Sequence, residues 1–556
     1  MTAAPRPTTE VDRLADDVVD RVVALNPVLG TYLGLGDADD ALPDLSPDGF
    51  SAAADLRADT LRRLDAVTPA DRQDRVTIAA MRWEYESGQA LHELGEDLAA
   101  LDILESPQES IRMVFDLMPT DTDDQWATIA RRMAAVPAAL AGYTASLRAA
   151  AAAGNAPARR QVEEVARRLA TNTGADGFFG ALAARGPEAV APDLERGAVA
   201  AGEAYAQLQE FLRTDLLPLA RERDAFGRER YAAHLRSHLG ADVDLDETYA
   251  WGQEELARLT ADQERVAAGL GPGRTVKQVM ADLDADPARQ LHGTDALQAW
   301  MQARSDEAVE QLGRTHFDIP EALRTLECRI APTQAGGVYY TGPTDDFSRP
   351  GRMWWSVPEG TETFSTWQEL TTVYHEGVPG HHLQIGTAVY QRASLNRWRR
   401  MLSGTAGHAE GWALYAERLM AQLGHLDDPA DRLGMLDAQA MRAARVVLDI
   451  GVHLELPMPA ASAHPGEAWT FERAMEFFAA HTAWDEGNRT FEVFRYFGWP
   501  GQAPSYKLGE RLWLELRADA EAAGGDDFDL KGFHQRALEL GGLPLDVLAD
   551  AVLDRL

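Results

Sequence analysis

The chain has 556 residues and is strongly acidic, with 53 Lys and Arg against 88 Asp and Glu and a formal net charge of -35. Such a charge repels phosphate backbones and anionic lipid, so neither nucleic acid nor a membrane is an expected partner. The single cysteine, Cys328, excludes an intramolecular disulfide and a zinc site built from cysteines. The first 40 residues lack a basic segment followed by an apolar one, and no uninterrupted run of 18 apolar residues occurs. We therefore expect a cytoplasmic protein.

The first part of the chain, to about residue 310, is predicted to consist of stacked helices. Apolar residues recur at helical spacing over residues 9–25 and 71–94, and alanine-rich helical segments follow. Valine, isoleucine and threonine are sparse, and the alternation typical of strands is absent. The sequence predicts one catalytic unit over residues 1–556 with two lobes, a helical part to about residue 325 and a second part over about 326–556.

The composition changes near Glu327, where aromatic residues and glycines become frequent. Three short segments, residues 328–332, 336–343 and 352–357, are predicted as strands. They predict a small antiparallel sheet that lines one wall of a cleft, because an open strand edge can hold an extended peptide by main-chain hydrogen bonds. A structural hairpin that braces the two lobes is the alternative.

A cluster of histidines follows this β region, and it is the most informative feature of the sequence. His375, His381 and His382 are three of the chain's 14 histidines, and Glu376 follows the first of them. In zinc peptidases the spacing His-Glu-x-x-His puts two imidazoles on one helix face, while the glutamate activates water. Here Pro379 takes the place of the second histidine. On a straight helix the next histidines would lie about 9 to 10.5 Å along the axis, too far to share one ion with the first.

The proline predicts how this spacing can still form a metal site. Pro379 has no N–H, its ring collides with the carbonyl group of His375, and it disfavours the helical conformation at Val378. A bulge of two residues at this point, relaxed by Gly380, would return His381 to the position that the second ligand normally takes. We interpret the motif as a zinc-peptidase helix with an insertion.

A third ligand is predicted on a following helix. Glu410 and Glu417 are seven residues apart and therefore share one helix face. Glu410 is predicted as the ligand, and Glu417 as the acceptor of an N–H from a ligand imidazole, which would fix its tautomer. The two glutamates could exchange these roles, and His408 could be the ligand instead.

Three stretches, residues 375–382, 410–413 and 500–509, resemble the signatures of the bacterial family DUF885, and the resemblance extends over nearly the whole chain. That family in turn is similar to the helical zinc peptidases grouped with carboxypeptidase Taq and thimet oligopeptidase, whose active helix carries His-Glu-x-Gly-His-x-Leu. The resemblance favours His381 over His382 as a ligand. Together with the helical pattern it implies a mainly α fold, in which two helical lobes surround a deep cleft and the small sheet lies beside the active-site helix.

These features predict zinc-dependent hydrolysis of peptide bonds in short peptides, of the carboxypeptidase, oligopeptidase or dipeptidase type. One Zn²⁺ ion is expected on His375, His381 and Glu410, with Glu376 moving the proton from water to the leaving amine. The alternatives are a metal-dependent lyase or amidohydrolase that acts on a small amino-acid conjugate, and a non-catalytic relative that binds peptides. The oligomeric state and the choice between exo- and endo-cleavage are not predicted.

The remaining candidates would contact the substrate. Tyr506 and His453 are predicted to stabilise the oxyanion, because the related peptidases place a tyrosine on a late helix in this role. A carboxylate of the substrate could be bound by Arg349 or by Arg495. Tyr340 and Lys507 are the further candidates for substrate contact.

Overall fold

A computed structural model describes residues 6–35, 40–174, 176–331 and 337–556. Within these ranges the chain forms helices joined by short loops, with five short strands, so the prediction of a mainly α protein is confirmed. The helices of the first half are α1 Glu10–Leu25, α2 Pro27–Tyr32, α3 Pro47–Ala66, α4 Arg72–Glu93, α5 Glu96–Ala99, α6 Pro107–Leu117, α7 Asp123–Ala152, α8 Arg159–Arg168, α9 Phe178–Ala183, α10 Ala191–Phe211, α11 Arg228–Leu239, α12 Leu245–Leu270, α13 Val276–Ala285 and α14 Thr294–Thr315.

The second half begins with most of the strands and continues with the helices that carry the histidine motif. The strands are β1 Gln290–His292, β2 Leu326–Ile330, β3 Val338–Thr341, β4 Gly351–Trp355 and β5 Thr363–Ser365. The helices are α15 Thr366–Glu376, α16 His381–Tyr390, α17 Arg397–Met401, α18 Ala406–Gln422, α19 Pro429–His453, α20 Phe471–Ala480, α21 Glu486–Gly498, α22 Gln502–Gly524, α23 Leu530–Glu539 and α24 Leu545–Val552. In the described ranges no helix is long and apolar enough to cross a bilayer.

Two large hydrophobic cores organise these helices. One core lies among α6 to α10 and includes Val136 and Tyr205, both completely buried. The other joins α11, α12, α15, α18, α19 and α22, and its centre contains Trp412 and Trp513. Val18 of α1 belongs to this second core, so the first helix of the chain packs with the elements that carry the histidine motif.

The sheet beside α15 differs from the prediction because it is mixed. Its strand order is β2-β4-β3, with β2 parallel to β4 and β3 antiparallel to it. The physical reason is that β3 and β4 form a hairpin whose second strand inserts between β3 and β2, which fixes its direction relative to both. Residues 332–336, part of the predicted strands, lie outside the described residues. Strands β1 and β5 form a separate antiparallel pair.

One face of the mixed sheet packs on the helix that carries the motif. Cys328 of β2 and Met353 of β4 share a hydrophobic cluster with Met301 of α14 and Val373 of α15. Because Val373 lies two residues before His375, this packing fixes the end of α15 against the sheet.

Candidate metal and catalytic site

The helix that carries His375 is interrupted where the proline predicts. Helix α15 ends at Glu376 and α16 begins at His381, so four residues lie between them outside helical conformation. The amide of Gly380 donates to the carbonyl oxygen of Tyr374, six residues back, at 3.1 Å. A regular α-helix makes this bond to the residue four back, so the observed span contains two extra residues. The break in the helix that Pro379 predicts is therefore present, as a turn between two helices.

Glycine is required inside this turn. A Cβ atom at Gly380 would lie 1.9 Å from the carbonyl oxygen of His375, a distance that no side chain tolerates. The turn is also attached to its neighbour, because Trp412 of α18 donates its indole N–H to the carbonyl oxygen of Pro379 at 2.8 Å. The chain can therefore fold back closely enough for α16 to begin beside the end of α15.

The result is a ligand cluster formed by His375, His381 and Glu410. His375 Nε2 lies 3.2 Å from Glu410 Oε2, and His381 Nε2 lies 3.5 Å from the same oxygen. The two imidazole rings are nearly perpendicular, with centroids 4.9 Å apart. Three side chains from three different helices thus direct one ligand atom each toward a common point.

The donor atoms of this cluster fit a zinc ion. Zinc bound tetrahedrally by nitrogen and oxygen has bonds of about 2.0–2.1 Å, which places neighbouring ligand atoms roughly 3.3–3.4 Å apart. The two distances to Glu410 Oε2, 3.2 and 3.5 Å, bracket this value. Two histidines and one carboxylate also form the three-ligand set of catalytic zinc sites, which keep a fourth position for water or substrate.

Glu376 completes the polar groups at this point. One nitrogen or oxygen atom each of His375, Glu376 and His381 lie within 4.8 Å of one another. The Glu376 side chain is 5% exposed, and in the described part of the chain its Oε2 has no hydrogen-bond partner. A buried carboxylate oxygen without a partner is costly, and here it lies beside the ligand cluster.

Glu417 fixes the orientation of His375 through a hydrogen bond to Nδ1, the ring nitrogen that does not face Glu410. Its Oε1 accepts the Nδ1–H of His375 at 2.8 Å, and its Oε2 accepts the hydroxyl of Thr371 at 2.7 Å. Arg442 Nη2 lies 3.7 Å from Glu417 Oε1 and supplies a compensating charge. Since Nδ1 carries the proton, Nε2 of His375 is the nitrogen that is free to bind a metal.

The charges of the cluster are strongly coupled. Burial lowers the pKa of His375, but hydrogen bonds with Glu410 and Glu417 and the charge of Glu376 outweigh it and raise that pKa to about 9. Burial raises the pKa of Glu410, but the charges of His381 and His375 take it well below its ordinary value. Burial raises the pKa of Glu376. Metal binding at this place would therefore have to displace a proton from His375.

Helix α22 brings Tyr506 next to the cluster. Helices α18 and α22 approach so closely that a Cβ atom at Gly411 would lie 2.6 Å from Gly509 Cα. Tyr506 precedes Gly509 by one turn, and Glu410 precedes Gly411. Burial and then the charge of Glu410 raise the pKa of Tyr506 to about 12. The structure thus brings Tyr506 to the same region as the ligand cluster.

His382 and Tyr340 contact each other, and neither makes a hydrogen bond to the ligand cluster in the described residues. His382 Nε2 donates to the carbonyl oxygen of Leu323 at 2.9 Å, and its Nδ1 accepts the hydroxyl of Tyr340 at 3.0 Å. Both ring nitrogens of His382 therefore have hydrogen-bond partners, and the Tyr340 hydroxyl donates its proton to one of them. Burial lowers the pKa of His382 to about 4, so it stays neutral. Together the pair joins α16 to β3.

His408 and His453 are also placed elsewhere. His408 Nδ1 accepts from the side-chain amide of Gln384 at 3.3 Å, and its ring packs on Trp513. His453 is completely buried and donates its Nε2–H to the carbonyl oxygen of Tyr496 at 2.9 Å. Burial lowers the pKa of both histidines to about 3. Neither side chain has a contact with the ligand cluster in the described residues, so the roles predicted for them do not follow from the structure.

Two of the basic candidates have structural partners. Lys507 is 1% exposed, donates to Gln439 and Glu510, and lies 3.0 Å from Glu255. Arg349 donates from Nη2 to the carbonyl oxygen of Gly342 at 2.9 Å and from Nη1 to that of Pro350 at 3.3 Å. The lysine therefore neutralises buried carboxylates, and the arginine braces the loop between β3 and β4. Both basic groups thus have structural partners, and their predicted roles in substrate binding stay predictions.

Arg495 is the arginine candidate that lies in the region of Tyr506. Its charge lowers the pKa of Tyr506, against the larger effects of burial and Glu410. Its Nη2 donates to Glu492 Oε2 and its Nη1 to Gln502 Oε1, each at 2.7 Å. Its Nε has no partner among the described residues.

Sequence reasoning missed several residues that support this region. Thr371 lies four residues before His375, and this helical spacing could have suggested a shared face with the histidine. Arg442 and Glu492 belong to no recognisable motif, and in the stretch 445–453, which resembles the family, only His453 is a predicted candidate. The packing of α19 against α15 and α21 brings Arg442, Arg445 and Glu492 to the site.

Comparisons with known proteins support the family and the fold. The model of the family described as "Bacterial protein of unknown function (DUF885)" matches residues 27–552. Among curated proteins, none matches the chain. A crystal structure described as a candidate lipoprotein from Colwellia psychrerythraea has a TM-score of 0.84 at 22% identity and covers 98% of each chain. A second, described as a candidate lipoprotein of unknown function from Shewanella oneidensis, has a TM-score of 0.74 at 17% identity and covers 98% of this chain and 100% of that one.

Proposed function

The chain belongs to the bacterial DUF885 family, whose function is unknown, and we propose from the chemistry of its site that it hydrolyses peptide bonds in short peptides with the help of zinc. The observation that carries the proposal is the convergence of His375 Nε2 and His381 Nε2 on one oxygen of Glu410. Beside it stands the buried carboxylate of Glu376, whose Oε2 has no partner within the described ranges. Three ligands with one adjacent carboxylate are the set that metal-assisted hydrolysis requires.

Each residue has a defined part in this proposal. His375, His381 and Glu410 would hold the ion, which when bound lowers the pKa of water and polarises the scissile carbonyl group. Glu417 keeps the proton on His375 Nδ1 through its 2.8 Å hydrogen bond and thereby presents Nε2 to the site.

Glu376 is the group that moves a proton. Its burial raises its pKa, which brings a carboxylate closer to the range in which it both accepts and returns a proton near neutral pH. We assign it the removal of a proton from the attacking water and the delivery of that proton to the leaving amine. The unpartnered Oε2 is the atom available for both transfers.

Tyr506 is the proposed donor to the oxyanion. With a pKa of about 12 the hydroxyl remains protonated throughout the working range of pH and can donate a hydrogen bond to the negative oxygen of the tetrahedral intermediate. This role is assigned to Tyr506 alone, since His453 is held by the carbonyl oxygen of Tyr496.

The surroundings of the cluster favour a short, extended substrate. The Glu410 side chain is 21% exposed, against 5% for His375 and 10% for His381, so the site opens to solvent on the side of the glutamate. In the described residues, β3 is an edge strand that pairs only with β4, and its free edge could bind a peptide by main-chain hydrogen bonds. We propose that the two helical lobes form a cleft of the zinc-peptidase kind, which would exclude folded proteins.

The rival functions make different use of the same residues. A protein that only binds peptides has no need of an unpartnered buried glutamate beside three ligands, so Glu376 argues for catalysis. A lyase or amidohydrolase acting on a small amino-acid conjugate would use the same ligands and remains the second candidate. The cytoplasmic location stays a prediction, and the related crystal structures are described as candidate lipoproteins.

The test combines metal analysis with peptide cleavage. The purified protein, loaded with zinc, is assayed on a library of short peptides, and the variant Glu376→Gln is compared with Glu369→Gln on the first turns of the same helix. We expect one zinc per chain in all three proteins and a loss of about 10²- to 10⁴-fold in kcat for Glu376→Gln alone. Stoichiometric zinc without cleavage of any peptide by the unaltered protein would instead favour the lyase.

A further inference from the structure

Two buried arginines near Tyr506 share a single carboxylate. Arg445 of α19 and Arg495 of α21 are 4% and 6% exposed. Both donate to the same atom, Glu492 Oε2, at 2.8 and 2.7 Å. Arg445 also donates from Nε to the hydroxyl of Tyr496 at 2.6 Å. We refer to Arg445 and Arg495 as the arginine pair.

The arginine pair carries more positive charge than its contacts neutralise. Within the described ranges, Glu492 is the only carboxylate that forms an ion pair with either arginine. Two guanidinium groups against one carboxylate leave one positive charge in a buried place. A buried charge without a partner is costly, so this arrangement favours the binding of an anion.

Three further carboxyl groups lie close enough to Arg495 to be affected by its charge, and they do not cancel the excess. Burial raises the pKa of Asp102, and it raises the pKa of Glu105 and Asp449 to about 7. None of the three forms an ion pair with Arg495 in the described ranges, where the ion-pair partner of Arg495 is Glu492. Asp102 is also occupied, since its Oδ1 accepts the amides of Leu104 and Glu105 at 2.7 Å.

Two guanidinium nitrogens of the pair remain available. Arg445 uses Nε and Nη2 for Tyr496 and Glu492, and Nη1 makes no hydrogen bond to any described residue. Arg495 uses both terminal nitrogens, and its Nε is unpartnered among the described residues. The pair can therefore accept an incoming carboxylate without first giving up its bonds to Glu492.

Tyr506 joins the arginine pair to the ligand cluster. The guanidinium carbon of Arg445 lies 5.1 Å from the centre of the Tyr506 ring. The same tyrosine lies on α22, which packs so closely on α18, the helix of Glu410, that a Cβ atom at Gly411 would lie 2.6 Å from Gly509 Cα. One residue of extended peptide spans at most about 3.6 Å. With the scissile carbonyl group at the ligand cluster, one or two further residues would therefore carry the C-terminal end of a substrate past the Tyr506 ring.

We propose that Arg445 and Arg495 bind the free α-carboxylate of the substrate, so that the preferred substrates are peptides cleaved within one or two residues of an unblocked C-terminal end. This assignment rests on the proposed peptide hydrolysis and adds the direction of cleavage to it. The carboxylate would complete the ionic network that Glu492 alone leaves incomplete, and its position past Tyr506 would set the distance between the C-terminal end and the scissile bond.

The first test changes only the substrate. The zinc-loaded protein is assayed on Phe-Ala-Ala and on the same peptide with a C-terminal carboxamide. Because a charge-assisted pair of hydrogen bonds is lost, kcat/KM is expected to fall by about 10- to 100-fold for the amide. Equal rates on the two peptides would overturn the carboxylate assignment while leaving the proposed hydrolysis intact.

The second test changes the arginines. In Arg445→Lys and Arg495→Lys, the ratio of kcat/KM between acid and amide should fall toward one, whereas Arg132→Lys, at another completely buried arginine in the core among α6 to α10, should keep the ratio of the unaltered protein. Circular dichroism checks that the variants are folded. If both variants at the pair retain the full preference for the acid, the pair is not the receptor.

A binding measurement separates failure of this inference from failure of the proposed function. If no peptide of the library is cleaved, the proposed function is wrong, and calorimetry with N-acetyl-alanyl-alanine and its carboxamide then tests the carboxylate site alone. Binding of the acid that is at least about 10-fold tighter than that of the amide, and is lost in Arg445→Lys, supports the arginine pair as the receptor. Equal binding of acid and amide, or no binding of either, overturns it.

Discussion

The hydrogen bond from His375 to Glu417 should be worth about one to two orders of magnitude in zinc affinity. The substitution Glu417→Gln keeps the size of the side chain but removes the negative charge that accepts His375 Nδ1–H at 2.8 Å. Hydrogen bonds to charged groups contribute about 1.5–3 kcal/mol, and partners of metal-ligating histidines typically change metal affinity by 10- to 100-fold. Since Glu417 is completely buried, solvent does not screen this effect.

The assay is competition for zinc with a chelator of known affinity, on the unaltered protein, Glu417→Gln and Thr371→Val. Removal of the Thr371 hydroxyl breaks only the 2.7 Å hydrogen bond to the other oxygen of Glu417, so its effect should be about 10-fold or less. The melting temperature of each metal-free protein controls for the loss of the partner of Arg442, which lies 3.7 Å from Glu417. Unchanged zinc affinity in a folded Glu417→Gln protein would refute the role of this hydrogen bond.

Three further results are expected. His381→Asn should abolish stoichiometric zinc binding, whereas His382→Asn should retain the metal and lower the melting temperature, as atomic absorption and thermal unfolding would show. Tyr506→Phe should reduce kcat by about 10²- to 10³-fold with little change in KM, since the hydroxyl is proposed to act on the transition state, and steady-state kinetics measure this. Burial raises the pKa of Asp449 from 3.8 to about 7, so the folded protein binds a proton that the unfolded chain releases. The contribution of Asp449 to stability should therefore fall as the pH rises from about 4 to 7, so Asp449→Asn should lose less free energy of unfolding than the unaltered protein over this range in denaturant unfolding.

The break between α15 and α16 could be predicted from the sequence because it depends on local chemistry. Pro379 cannot continue a helix. At position 380 only glycine, which has no Cβ atom, lets the backbone approach the carbonyl group of His375 so closely. The two extra residues follow from the spacing in the sequence, because His381 lies six residues after His375, whereas the second histidine of a zinc-peptidase helix lies four residues after the first. These are short-range constraints, and they hold whatever the rest of the protein does.

The sequence did not predict the partner of a polar residue where that partner lies far away in the chain. His382, Tyr340 and Lys507 carry chemistry-bearing side chains, yet each is satisfied by a neighbour that only the folded chain brings to it. The mixed sheet has the same origin, because the insertion of β4 between β2 and β3 is a matter of topology and leaves no mark in the composition of the strands. Residue type alone does not distinguish a side chain that serves structure from one that serves a substrate.

The turn between α15 and α16 is held by residues of a third helix, α18. Glu410 and Glu417 are both carried by α18, and Trp412 on the same helix donates to the carbonyl oxygen of Pro379 inside the turn. The turn is thus anchored to the helix that supplies the carboxylates, and not only to the helices that it connects. The turn at residues 377–380 thus lets His381 lie beside the carboxylate of Glu410 while His375 keeps its hydrogen bond to Glu417.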